Sequence, residues 1–170
     1  MSRLISSFRF VPIQLFRVNA GKKIRLRDYA ARKGKSFDVV SENGLIKPKA
    51  LDPSSYTAPN GASMRPLVLR QKKLVRGFLG TNVVVYAIDE GMSSVVLVRP
   101  GVYASDLSKT VLGTILPEDL ILVDEGGAHY SLQPAVEMSL RDLNQKISDF
   151  LKGHATLYTR NEWIAKFDKS

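Results

Sequence analysis

The sequence predicts an α+β fold with strands dominating its middle, and three observations carry that prediction. Residues 82–86 form a β-branched run ending in Tyr86. Two further strand-like stretches follow: an apolar one ending at Val123 and an alternating one over 128–134. The C-terminal part then opens one amphipathic helix at Ser139 and a second at Thr159. At 170 residues the chain is long enough for one domain with a real core and short for two. The expected organisation is a flexible basic segment over 1–9 and a single domain over 10–170, with an insertion at 92–113.

Residues 1–9 are acid-free, carry Ser and Arg and are mildly amphipathic, which is how a mitochondrial transit peptide begins. They lack the apolar core of a secretory signal, so the expected location is cytoplasmic, with a mitochondrial address as the alternative. Leu15, Phe16, Arg17 and Val18 read as a strand carrying an arginine that either faces a cleft or lies on a solvated face. Residues 21–35 are basic and helix-capable, 37–40 a short strand, 42–45 a turn and 46–56 a proline-containing loop. After Pro66, residues 67–79 read as an irregular helix closed by Gly80, and the run ending at Ile88 reads as a central strand. Ser139 is an N-cap with Asp142 in the first turn, and Leu143, Ile147, Phe150 and Leu151 recur at helical spacing up to Gly153, a C′ candidate. Residues 155–158 form a short strand before Thr159 and Glu162, which have the spacing of a capping box.

Composition removes several function classes. There is no cysteine, and two histidines, His129 and His154, are too few for a zinc site, so no metal is expected. The longest apolar runs fall far short of the ~20 residues of a bilayer span. The net charge of +9 resides in residues 1–35, where ten Lys and Arg face the single acid Asp28; the remainder balances at zero. A second cluster, Arg65, Arg70, Lys72, Lys73 and Arg76, contains no acid. The two clusters are either solvated faces or a track for nucleic acid, a dinucleotide or an acidic membrane surface.

The stretch from Tyr56 to Pro66 is the most suggestive. Pro59 restricts the backbone, and Asn60-Gly61 suits a turn that needs a positive φ. Ala62, Ser63 and Met64 then alternate as a short strand edge, placing the Ser63 hydroxyl and the Arg65 guanidinium on one side. A hydroxyl and an arginine beside a glycine turn suit an anionic ligand; an ordinary surface turn is the plainer reading.

Leu15-Phe16-Arg17, Gly61-Ala62-Ser63 and His129-Tyr130-Ser131 followed by Pro134-Ala135 occur in an order that resembles a family of ADP-ribosyltransferase-like toxins of type VI secretion. The chain looks like a eukaryotic, fungal-type homologue, and the resemblance covers most of 15–167. It implies an ADP-ribosyltransferase-like fold, with mixed or antiparallel sheets flanked by a few helices. It also explains the middle, because family chains run from a strand through a turn directly into Ile-Pro-x-Asp-Leu. Here Asp89-Glu90-Gly91 would join onto Thr114-Ile115-Leu116-Pro117-Glu118-Asp119-Leu120, leaving 92–113 as an insertion or a translated intron.

The resemblance implies an NAD-dependent transferase of the glycosyltransferase class that passes ADP-ribose to a macromolecule. Arg17, Ser63 and His129 would be its catalytic residues. Arg17, Asn60, Gly61, Ser63, Arg65 and Tyr130 would bind NAD, with Arg17 on the pyrophosphate or a ribose, Ser63 at the nicotinamide ribose, His129 at a ribose hydroxyl and Tyr130 stacked on nicotinamide. A toxin of this kind implies a macromolecular target and an immunity protein as partners. Two departures stand out: Ala62 replaces the first hydroxyl of the family's Thr/Ser pair, and neither Glu125 nor Glu137 clearly matches the late glutamate of many enzymes of this fold. They leave open an unusual transferase, an RNA 2′-phosphotransferase-like relative or an inactive NAD-binding relative. The alternative of a different class is a basic nucleic-acid-binding module.

Overall fold

Two antiparallel sheets share one core and are joined by a backbone bridge between Phe16 and Arg65, which positions the site. The structure, a computed structural model, describes residues 5–31, 35–90 and 114–169. In the first sheet β5 (Val83–Ile88) lies between β2 (Leu15–Ala20) and β9 (Ala155–Thr159), with Leu15 opposite Ile88 and Ala20 opposite Val83. All of β5 is buried, as its β-branched run requires of a strand covered on both faces. The second sheet runs β1 (Ser6–Phe8), β6 (Leu120–Asp124), β7 (Tyr130–Pro134) and β4 (Ala62–Met64). A short ladder joins β3 (Leu45–Ile46) to β8 (Met138–Ser139). The sheets are bridged where Phe16 and Arg65 exchange backbone hydrogen bonds of 2.8 and 3.0 Å.

Three helices cover these sheets among the described residues. Helix α1 (Leu69–Gly77) and helix α3 (Arg160–Phe167) pack on the outer face of the first sheet, where Trp163, Phe16 and Phe167 form an aromatic cluster with Val75 and Val85. Helix α2 (Leu140–His154) closes the main core, burying Leu143, Ile147, Phe150 and Leu151 against Leu15, Leu122 and Leu132. Ser139 caps α2 by accepting from the Asp142 N–H at 3.1 Å, and Thr159 with Glu162 forms the expected reciprocal box on α3. These are the α+β composition and antiparallel sheets that the resemblance implies.

Several local expectations are corrected. Residues 6–8 of the expected flexible tail are strand β1: they supply partners to β6, which would otherwise be a bare edge, and Arg9 donates to the carbonyls of Leu120 and Glu118. The described part of the basic stretch 21–35 is not a helix beyond one 3-10 turn at Tyr29–Ala31. Its N–H groups are taken from outside: Ser148 accepts from Ile24, Asn144 from Leu26 and Asp38 from Arg27. The strand expected over 37–40 reduces to one bridge between Asp28 and Val39. Helix α2 continues through Gly153 to His154 because β9 follows at once. The insertion read at 92–113, and its alternative as a translated intron, lie outside the described residues.

Candidate active site

Strand β2 points Leu15, Arg17 and Asn19 to the inner face of its sheet, while Phe16 and Val18 join the aromatic cluster outside. The Phe16–Arg65 bridge brings β4 alongside, so that Arg17 reaches across and donates from an Nη to the Ser63 carbonyl at 3.0 Å. The result is a cleft of about 360 Å³ between β2, β4 and α1. Arg17, Arg25, Arg27 and Arg65 line it together with Ser63, and the one carboxylate among its lining residues is Asp38. Asp38 is already engaged, accepting from Arg27 Nε at 2.8 Å and Nη at 3.0 Å.

Cationic charge in this cleft is therefore under-compensated. Burial pulls Arg17 down to about 10, opposed by Asp38 and aided by Arg27, so it remains a cation at neutral pH. Burial lowers Arg65 as well, and neighbouring Arg70 adds to the effect while Glu125 opposes it. The Nε atoms of both arginines are buried without a partner among the described residues, and so are both amide atoms of Gln71, a fully buried residue of α1 on the same cleft wall. Polar groups held this way favour a ligand that supplies acceptors and negative charge.

Asn60 and Gly61 lie behind this wall rather than in it. Both are buried; Asn60 donates to the Lys47 carbonyl at 2.9 Å, and the Gly61 N–H to the Asp38 carbonyl at 3.0 Å. Gly61 is not in the positive-φ region, which corrects the turn argument for it. What the position demands is space: a Cβ there would stand 2.2 Å from the carbonyl oxygen of Leu132 on β7. Asp38, the acid that pairs with Arg27, is thus tied to the loop that carries Ser63.

The neighbouring strand β7 carries Tyr130 and Ser131, with His129 immediately before it, and alternation separates Tyr130 from Ser131. Ser131 stands opposite Ser63, and Tyr130 opposite Met64. Ser131 therefore shares the face of Ser63, whereas Tyr130 packs with the main core. Tyr130 is not brought to the cleft. His129 is half-buried beside the β4 end and donates from Nδ1 to Glu125 at 2.7 Å, while its Nε2 is buried with no partner among the described residues.

Glu125 is the centre of a polar network that short motifs did not reveal. Its carboxylate is 3% exposed and accepts from Tyr56, from Ser131 at 3.1 Å, from Gln133 at 3.3 Å and from His129. Burial pushes this carboxyl up, yet the hydrogen bonds from His129 and Tyr56 outweigh it and hold Glu125 below the usual range. Tyr56 is pushed up by its own burial and by its bond to Glu125. Gln133 links the network to Asn60 at 3.4 Å and so to the Ser63 loop. Asp38, Gln71 and Gln133 give no signal in sequence, because each matters only through where the fold places it: Asp38 against Arg27, Gln71 on the cleft wall and Gln133 against Tyr56 and Glu125.

The second basic cluster also changes character in three dimensions. Asp168, beyond the last turn of α3, is buried and pairs with Lys72 at 3.2 Å and Arg76 at 2.6 Å. The acid missing from 65–76 is supplied by the other end of the molecule, and a continuous phosphate track along α1 is interrupted.

Comparison with known proteins agrees with this architecture. No curated protein and no solved structure matches the chain. A family model described as the Tse2 ADP-ribosyltransferase toxin matches residues 13–163, which span β2, β4, the β6–β7 pair and both capped C-terminal helices up to Trp163. With nearly the whole described fold inside that match, the chain belongs to the Tse2 ADP-ribosyltransferase toxin family.

Proposed function

We propose that the chain binds NAD in the basic cleft and transfers ADP-ribose to a macromolecular acceptor. The observation that carries this reading is the convergence of Arg17, Arg65 and Gln71, all with buried polar atoms that have no partner among the described residues, on one cleft beside Ser63. Arg17 and Arg65 hold the pyrophosphate through charge-assisted hydrogen bonds, and the Ser63 hydroxyl fixes the nicotinamide ribose. Phe78 and Leu74 form the apolar wall against which a flat ring rests. Asn60 and Gly61 keep the Ser63 strand against β7.

In the reaction the bond between nicotinamide and the ribose C1′ breaks, nicotinamide departs with the bonding electrons, and C1′ bonds to an acceptor nucleophile that loses its proton. The protein's part is positioning and charge stabilisation. His129 is not among the residues lining the cleft; it addresses a ribose hydroxyl from beyond that lining, and Glu125 acts on His129 as a positioning residue. A carboxylate accepting from four side chains is not free to receive the nucleophile's proton, so Glu125 does not stand in for the late glutamate of other enzymes of this fold.

NAD consumption by the purified chain, with and without cell extract, tests the reading. Nicotinamide release should be lost about a hundredfold in Arg17→Ala and in Arg65→Ala, with both variants still folded by circular dichroism. Native chain that neither consumes NAD nor binds it by calorimetry would overturn the proposal.

A further inference from the structure

A cavity larger than the basic cleft lies elsewhere in the molecule. A groove of about 900 Å³ lies between the 22–25 segment, α2 and the inner face of β9. Lys22, Lys23, Arg25, Arg141 and Lys152 line it, all exposed, and none forms a salt bridge with a described residue. The single carboxylate among the lining residues, Asp149, accepts from Gln145 at 2.8 Å. Beneath this cationic rim the groove is aliphatic, with Ile24, Leu140, Leu151 and Leu157, the last 37% exposed. Arg25 lines the groove and the basic cleft alike, so one side chain borders both.

We propose that this groove docks an acidic polypeptide segment of the acceptor, anchored by apolar side chains. This rests on the NAD reading only for the word acceptor. Five unpaired cations against one carboxylate select a negatively charged occupant, and the aliphatic floor selects one that also buries apolar side chains. A nucleic acid satisfies the rim and not the floor. Single strands are held by aromatic faces on which bases stack, and the one aromatic ring here, Tyr86, is buried with its hydroxyl bonded to the Lys22 carbonyl. Docking beside Arg25 places the acceptor next to the cleft from which ADP-ribose is delivered.

Fluorescence anisotropy with the full chain tests this in the absence of NAD. The probe is a labelled dodecapeptide of glutamate pairs alternating with single leucines; a serine-for-leucine version and a labelled thymidine dodecanucleotide are the comparators. The leucine peptide should bind saturably and more tightly than either comparator. Arg141→Glu combined with Lys152→Glu, and separately Leu157→Glu, should each weaken it about tenfold or more, without moving the thermal unfolding midpoint. Absence of saturable binding to the native chain, tighter binding of the oligonucleotide, or equal binding of the serine peptide would each overturn the proposal. Because no NAD is present, failure here leaves the NAD reading standing, and an inactive cleft leaves peptide binding measurable.

Discussion

A single missing methyl group decides how the site is held. Gly61 sits where β4 meets β7, and the 2.2 Å that would separate a Cβ at this position from the Leu132 carbonyl oxygen is far inside any tolerable contact. Gly61→Ala must push β4 away from β7, breaking the register that sets Ser63 against Ser131 and loosening the Phe16–Arg65 bridge. The expected cost is about 2–4 kcal/mol in urea denaturation, the range of overpacking that reaches backbone. A loss below about 0.5 kcal/mol would mean that the strands separate easily. The residue was legible in sequence for a different reason from the one that holds. Asn60-Gly61 announced a turn, whereas the structure uses the glycine for close approach.

At the scale of elements, legibility follows how local the causes are. Helices α2 and α3 and strand β5 were readable because their determinants lie within a few residues of one another: the Ser139 cap, the Thr159–Glu162 box and the β-branched run. The box has a measurable weight. Thr159→Ala should cost about 1 kcal/mol by urea denaturation, while Thr159→Asn, which can still accept from the Glu162 N–H, should cost a small fraction of that. Equal losses in the two variants would show that the cap hydrogen bond is not what stabilises α3. The described part of the basic stretch 21–35 departs from the expected helix because its hydrogen-bond partners are non-local. Helix propensity there competes with Ser148, Asn144 and Asp38, and those side chains take the backbone donors a helix would use. The same reason separates the site residues. Arg17, Ser63 and Arg65 stood in recognisable strands and do meet in one cleft, whereas Tyr130 turned to the core by alternation, and Gln71, Asp38 and the Glu125 network depend on contacts that no short pattern contains.

For the molecule as a whole, the site is joined by two carboxylates, the buried Glu125 and the half-buried Asp38, and both make the fold acid-sensitive. Burial raises the Asp38 carboxyl, but hydrogen bonds from Arg27 and the nearby charge of Arg17 leave it lowered; Glu125 is lowered by His129 and Tyr56 against its own burial. Each group in the folded chain therefore binds fewer protons than its unfolded counterpart as pH falls past the ordinary values of 4.5 for Glu125 and 3.8 for Asp38. Protons then favour the unfolded state, so stability is present in full at neutral pH, begins to fall near about pH 5 and is lost progressively below. Urea midpoints measured from neutral to acid pH should show that decline, and Glu125→Gln should flatten its upper part while lowering the neutral plateau. The two changes belong together, since a glutamine keeps the volume and loses both the titration and the charge that orders His129, Tyr56 and Ser131. A Glu125→Gln profile with the native slope would place the acid response in the exposed carboxylates. Nicotinamide release by the same variant, followed at neutral pH where the chain is folded, should fall along with the plateau, because the network that stabilises the second sheet also aims His129 and, through Gln133 and Asn60, holds the Ser63 strand against the cleft.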